Sequence, residues 1–374
     1  MLKVGIVGLP NAGKSTLFNA LVKGHQAEAA NFPFTTIEPN VGVVEVPDER
    51  LAELAALVHP AKITPAAFEF VDIAGLVEGA HKGEGLGNKF LSHIKEANAI
   101  ALVLRTFIDP DVTHVYGSVD PVRDYETLML ELVMSDLSAV SAAFERAERA
   151  AHDGKKETQA RLYIVTKIKE HLEQNKPVSE ATDLMTDEHT LPVIKELQLI
   201  TAKPRLVVFN ISETDAPDPK NNAQLTEFIN KGLTVSQDFN PAHIIYISSK
   251  LEAELLNMNE EEQREFLAEY NLVEPGLNRL ISTAYQALGL QSFLTAGPEE
   301  VRAWTIAVGT KAPEAAGVIH TDFTKKFIRA ETIAYADYIT AGGETEAKAA
   351  GKMRAEGRDY VVQDGDVMHF RIAQ

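Results

Sequence analysis

A short apolar run, Val4 to Val7, feeds directly into Gly8-Leu9-Pro10-Asn11-Ala12-Gly13-Lys14-Ser15, and the pattern G-x-x-x-x-G-K-S in that setting leaves few architectures open. Gly8 and Gly13 let the backbone turn its N–H groups toward a polyphosphate, Lys14 adds a point charge, and the Ser15 hydroxyl is a magnesium ligand of the right hardness. After the loop, Leu17, Phe18 and Leu21 share one helical face, so the segment reads strand, phosphate loop, helix. A mere glycine turn would need neither the buried strand before it nor the amphipathic helix after it. The candidate binding residues here are Asn11, Ala12, Gly13, Lys14, Ser15 and Thr16, with Lys14 also a candidate catalytic group.

Two further motifs follow in the order a nucleotide switch requires. Asn31-Phe32-Pro33-Phe34-Thr35-Thr36 stands where a threonine would cover the γ-phosphate and complete a magnesium shell, and Thr36 is preferred to Thr35. Val71-Asp72-Ile73-Ala74-Gly75 follows the apolar Phe68 and Phe70 and reads as a strand end that delivers a carboxylate to the metal. The metal ligands expected are therefore Ser15, Thr36 and Asp72. Beside Gly75, where a water-orienting glutamine is common, the chain has Leu76, which cannot hydrogen-bond water. The glycine-rich stretch from Glu78 to Lys89 should be ordered by nucleotide or a partner. Candidates to supply the missing catalytic group are His81, His93 and His114, with His114 ranked first because it follows the strand Ile100 to Leu104; an ordinary surface or core histidine is the competing reading for each.

The base-reading element is altered too. The strand Arg205 to Phe209 runs into Asn210-Ile211-Ser212-Glu213, where guanine-specific sites carry N-K-x-D. Ile211 replaces the lysine, and Glu213 is one methylene longer than the aspartate that takes the two guanine donors. Such a site discriminates strongly when those bonds are lost, so ATP is expected in place of GTP. The strand His243 to Ile247 then delivers Ser248-Ser249-Lys250-Leu251-Glu252, with Ser248 placed to offer backbone N–H groups to the base.

Taken together, these motifs and Gly317-Val318-Ile319-His320-Thr321-Asp322-Phe323 near the C-terminus resemble the YchF or Obg-like ATPases, a branch of the Obg-related P-loop NTPases, over essentially the whole chain. The resemblance implies a cytoplasmic, magnesium-using NTPase that prefers ATP, carries a hydrophobic residue at the glutamine position and associates with ribosomes. It further implies that Ile211 meets adenine through its backbone and that Asn11 helps to hold a potassium ion. A monomer is expected.

Composition agrees without deciding. The 374 residues, 45% hydrophobic and 24% charged, suffice for two or three cores. The absence of cysteine excludes disulfides and thiol chemistry and suits a reducing compartment. A formal charge of −18 argues against broad adhesion to nucleic acid, so any RNA contact must be a local basic patch. No signal peptide and no membrane-crossing run are expected.

The motifs divide the chain into an NTPase core at 1–121 and 202–290, a helical coiled-coil insertion at 122–201 and a C-terminal domain at 291–374. In the insertion, Leu130, Val133, Leu137, Val140, Phe144, Ala147 and Ala151 step by three and four, Asp153-Gly154 breaks the pattern, and Leu162, Val165, Ile168 and Leu172 resume it. An antiparallel hairpin with a charged outer face that includes Arg146, Arg149, Lys155, Lys156, Arg161, Lys167 and Lys169 follows. In the C-terminal domain Val301 to Ala307 reads as a strand, Gly309 to Ala316 as a loop, Asp322 to Phe327 as a helix start and Tyr360 to Phe370 as a hairpin around Asp364-Gly365. By resemblance this is a TGS domain, a ubiquitin-like β-grasp, and its Lys325, Lys326, Arg329, Lys348, Lys352, Arg354 and Arg358 either contact ribosomal RNA or solvate the surface.

The fold class expected is thus α/β: a G-protein-like P-loop NTPase core with a helical-hairpin insertion and a β-grasp domain. The function expected is an ATP-driven, nucleotide-state switch on the ribosome. The rival readings are a GTPase that tolerates the altered base motif and an RNA or ribosome adaptor in which nucleotide is structural.

Overall fold

A computed structural model describes residues 1–25, 40–73, 86–219, 222, 225–230 and 241–373, the side chains of 86–90, 241 and 260 excepted. These residues pack as two units, one built mainly from Met1–Gly24 and Glu69–Leu280, the other from Val43–Phe68 and Ile281–Gln374.

One six-stranded sheet, of order β2-β4-β1-β5-β6-β7, is formed by β1 (Lys3–Val7), β2 (Val41–Glu45), β4 (Ala67–Asp72), β5 (Ala99–Arg105), β6 (Arg205–Asn210) and β7 (Ile244–Ile247). β1 pairs in parallel with β4 on one side and β5 on the other, and β5, β6 and β7 continue in parallel. Every residue of β5 is buried, as a parallel strand covered on both faces requires. The strands that deliver Gly8, Asp72, Arg105, Asn210 and Ser248 therefore end on the same edge of the sheet, where open α/β folds bind ligands.

Helix α1 (Lys14–His25) follows β1, α2 (Glu49–Val58) follows β2, α3 (Leu86–Glu96) precedes β5, and α4 (Pro121–Ala151) and α5 (Lys156–Leu172) form the expected hairpin about Gly154, which takes φ 73°. The seam differs from the sequence expectation. Leu130 is 47% exposed, whereas Leu128, Met129 and Leu132 are buried in the cluster that contains Val7, Leu102 and Phe209. Further along, Val133, Val140 and Ala143 pack against Val165, Ile168 and Leu172. The first turns of α4 belong to the core around the parallel sheet, so the apolar stripe rotates between two partners instead of following one heptad register. Asp136, fully buried in α4, accepts from Ile200 N at 2.8 Å, Thr201 N at 2.7 Å and Thr201 Oγ1 at 2.7 Å, tying the helix to the turn before β6. Two positions on, Lys203 Nζ donates to the carbonyls of Ile94, Lys95 and Ala97 and so caps the end of α3.

Helix α4 also corrects the expectation that no run could cross a membrane. By length and composition it is long and apolar enough, with a mean hydropathy of 1.4 over eighteen residues, but half of that window is buried inside the protein. The buried Asp124, Glu131 and Asp136 on the same helix are accounted for by its packing within the unit.

The second unit has its own sheet of order β11-β10-β12-β8-β9-β3, from β3 (Ile63–Thr64), β8 (Leu290–Ala296), β9 (Val301–Ala307), β10 (Phe327–Ala334), β11 (Arg354–Glu356) and β12 (Asp366–Ile372). The central β12 and β8 run parallel while β8/β9 and β10/β12 are antiparallel, and the buried Phe293, Ile306, Ala315, Phe327 and Phe370 form the core. Val43–Phe68, left in the NTPase core by the sequence reading, groups here because β3 pairs with β9 (Ile63↔Val301) and because Arg50 Nη1 bonds Asp364 at 2.8 Å. Two other expectations are corrected. Gly309 to Ala316 is not all loop, because Ala312–Ile319 is helical, with Pro313 in its first turn and Ala312, Ala315 and Ala316 buried. Nor is Tyr360 to Phe370 a hairpin: Val361 makes one isolated bridge to Lys311, and β12 pairs with β10 instead. Asp366 draws Tyr360 Oη to 2.6 Å and Gln363 N to 2.9 Å, which fixes the segment as a tight turn with Gly365 at φ 80°.

Candidate nucleotide site

The loop between β1 and α1 turns through two positive-φ residues, Asn11 at 62° and Gly13 at 92°. Its glycines are required by packing as well as by ligand approach. A Cβ on Gly8 would lie 2.5 Å from Val103 O, and one on Gly13 would lie 2.1 Å from Asn210 Nδ2. Ala12 is buried, Thr16 borders the adjoining cleft, and Asn11 Nδ2 donates to Thr113 O at 3.0 Å.

Lys14 is buried, and its Nζ donates to Leu9 O at 2.7 Å across the loop. Desolvation pulls its pKa down to about 8, with the nearby Asp72 carboxylate acting the other way. Ser15 Oγ donates to Asp72 Oδ2 at 2.9 Å. Asp72 Oδ1 is buried and has no hydrogen-bond partner among the described residues. An orphaned carboxylate oxygen beside a hydroxyl and a buried ammonium fits a magnesium ion that takes one or two protein oxygens and otherwise water and phosphate. Thr36, Gly75, Leu76 and His81 lie outside the described residues, and His93 is exposed on α3.

Next to the loop a cleft of about 320 Å³ is lined by Gly13, Thr16, Phe107, Ile108, Asp109, Val112, Asn210 to Glu213 and Ser248 to Lys250. Asn210 closes its floor. The side chain is buried, Nδ2 donates to Ala12 O at 3.0 Å and Oδ1 accepts from Ser249 N at 3.1 Å, so one amide joins three loops. Ile211 is buried and its N–H is already given to Ile247 O at 2.9 Å. That bond leaves its carbonyl, not its N–H, as the backbone group to meet a base. Glu213 Oε1 is paired with Lys250 Nζ at 2.6 Å, and Ser248 is buried at the start of the Ser249–Leu255 helix.

Arg105 was not singled out by sequence. Its guanidinium, 2% exposed as a residue, donates to Phe107 O at 3.0 Å, Val112 O at 3.0 Å and Asp109 O at 3.4 Å, and so shapes the wall that carries Phe107 and Val112. An arginine closing the otherwise apolar strand Ala99 to Leu104 was the available signal. Thr106 adds to the same wall by donating from N and Oγ1 to Asn210 O, each at 3.1 Å.

His114 is held away from solvent. Nε2 lies 2.9 Å from Asp124 Oδ2 in α4, Nδ1 accepts from Tyr116 N at 3.2 Å, and the residue is 8% exposed. With both ring nitrogens engaged, His114 in this arrangement fastens the loop after β5 to α4, and proton transfer from it would require that it leave Asp124.

The parallel sheet with this loop at its edge defines a P-loop NTPase of the GTPase fold. A family model described as a 50S ribosome-binding GTPase matches residues 3–134, and another, YchF-GTPase_C, described as a protein of unknown function, matches residues 290–373. The ribosome-binding ATPase YchF of Bacillus subtilis is 49% identical over 99% of both chains, and Obg-like ATPase 1 of Pongo abelii is 45% identical over 99% of this chain and 92% of that one. The solved structure of the Schizosaccharomyces pombe YchF GTPase superposes with a TM-score of 0.87 at 38% identity, covering 99% of this chain and 97% of its own. The chain belongs to the YchF family, to which the Obg-like ATPases also belong.

Proposed function

We propose that this chain is a magnesium-dependent ATPase whose two nucleotide states govern binding to the ribosome in the cytoplasm. One observation carries the reading: Ser15 Oγ lies 2.9 Å from Asp72, whose other oxygen has no partner among the described residues, beside the buried ammonium of Lys14. Lys14 and the loop N–H groups hold the phosphates, and Ser15, Asp72 and Thr36 hold the metal. Magnesium, when bound, neutralises phosphate charge as it redistributes in the transition state. Asn210 keeps the base cleft in register with the phosphate loop, and the cleft takes the base against Ile211 and Ser248. Potassium at Asn11 and RNA contacts from the basic residues of a C-terminal TGS domain are further parts of this proposal, supported by family resemblance.

The ribosome enters through the names of the relatives, one of them an ATPase from Bacillus subtilis described as ribosome-binding. The name of the fission-yeast relative speaks for GTP instead. Titration of ATP and GTP at equal magnesium and salt separates the two, and a clear GTP preference sinks the ATPase reading. Co-sedimentation with ribosomes in the ATP and ADP states tests the switch; equal binding in both removes it.

A further inference from the structure

We propose that Lys250 and Ser249 set the purine choice of the cleft, Lys250 by occupying the Glu213 carboxylate and Ser249 by presenting its hydroxyl to the polar edge of adenine. The proposal rests on reading the cleft as the base site of an ATPase. Glu213 stands where a guanine-reading carboxylate would be, yet its Oε1 lies 2.6 Å from Lys250 Nζ, and both residues line the cleft. Guanine offers an N1–H and an N2 amine that need such a carboxylate. Lys250 draws that carboxylate toward itself and offsets its charge, so the two guanine donors meet a displaced and weakened acceptor. Adenine has neither donor, so the ion pair costs it nothing.

Ser249 supplies the complementary half. The residue is 4% exposed, and its Oγ is buried with no hydrogen-bond partner among the described residues. A Cβ placed on Gly13 would lie 3.8 Å from that oxygen, which puts the hydroxyl beside the phosphate loop at the inner end of the cleft. The backbone N–H of Ser249 is committed to Asn210 Oδ1 at 3.1 Å, so the side chain and not the main chain is the group left to meet a base. A hydroxyl can accept from the exocyclic amine of adenine or donate to a ring nitrogen, and such a ligand would satisfy a buried one that has no partner among the described residues.

The test is equilibrium binding of ATP and GTP to the full chain and to Lys250→Ala, the double variant Lys250→Ala with Glu213→Gln, and Ser249→Ala. Lys250→Ala should lower the ATP-to-GTP affinity ratio at least about fivefold, and the double variant should restore it because the freed carboxylate is gone. Ser249→Ala should weaken ATP about fivefold to tenfold while leaving the melting temperature of the nucleotide-free protein unchanged or raised, since no hydrogen bond is lost there. A structural role for the hydroxyl would lower that temperature instead, and this overturns the assignment. An unchanged affinity ratio in Lys250→Ala, or unchanged ATP affinity in Ser249→Ala, overturns it as well while the ATPase reading stands. A wild-type protein without ATP preference overturns both.

Discussion

Asn210 and Ala12, far apart in sequence, are joined by a 3.0 Å hydrogen bond from the Asn210 amide to the Ala12 carbonyl, which ties the cleft lined by Asn210 to the phosphate loop. The same side chain accepts from Ser249 N. Asn210→Ala strands a carbonyl and an N–H together, so it should cost about 2–4 kcal/mol in chemical denaturation and weaken ATP and GTP alike. Loss of affinity for one nucleotide only would show Asn210 to be a base reader and not a joint.

Lys14 makes the phosphate loop pH-dependent. Its folded-state pKa, about 8, lies below the ordinary lysine value of 10.5, so the unfolded chain binds more protons between those values and stability rises with pH across that window. Lys14→Met should therefore stabilise the nucleotide-free protein by roughly 1–3 kcal/mol at pH 7, with the gain gone by pH 10.5. Denaturant melts at pH 7 and 10.5 check this. Phosphate should push the lysine pKa back up, so nucleotide binding near pH 8.5 should take up a proton, seen by calorimetry in two buffers of different ionisation enthalpy. Hydrolysis should be abolished in Lys14→Met and in Ser15→Ala; turnover at the wild-type rate in a folded variant would remove the loop from the chemistry.

With a leucine in place of the water-orienting glutamine, Leu76→Ala should leave the slow single-turnover rate of the isolated protein nearly unchanged. His114→Ala should lower stability by about 1–3 kcal/mol because Asp124 loses its buried partner, and it should abolish hydrolysis with ATP still bound only where the ring leaves Asp124 during turnover. Circular dichroism and a separate binding titration keep the two effects apart. A folded His114→Ala that hydrolyses ATP normally confines the residue to holding its loop on α4.

Asp136→Ala should be among the most damaging single changes in the helical hairpin. It leaves the N–H groups of Ile200 and Thr201 without their acceptor in a fully buried place, for a loss of at least about 3 kcal/mol. Asp136→Asn keeps one acceptor and should fall between. Equal melting of both variants with wild type would contradict this account of the turn.

The loop, Asp72, the altered base motif and the two long helices were legible because each depends on local spacing: glycines at fixed offsets, a carboxylate at a strand end, apolar residues at three and four. What spacing cannot carry is the closure between distant segments. Nothing near Asn210 in sequence shows that its amide reaches Ala12, and nothing near Glu213 shows that Lys250 takes its charge. The misread helix Ala312–Ile319 is built from alanines beside glycines, so its buried face has no large residue to mark it. Tyr360 to Phe370 alternates like a hairpin around Asp-Gly, yet Asp366 satisfies the turn internally and leaves β12 to pair elsewhere.

The burial of Leu128, Met129 and Leu132 in the same cluster as Val7 and Phe209 bears on how such a hairpin could be trimmed or transplanted. A cut that removes 122–201 as one block would take those three side chains and Ile200 out of the sheet's own packing, together with the Ile200–Thr201 turn that Asp136 holds before β6. The tip about Gly154 can be shortened by whole turns taken equally from α4 and α5, whereas the root of α4 must travel with the sheet. Any chimera that borrows the hairpin therefore has to borrow β6 and its preceding turn as well.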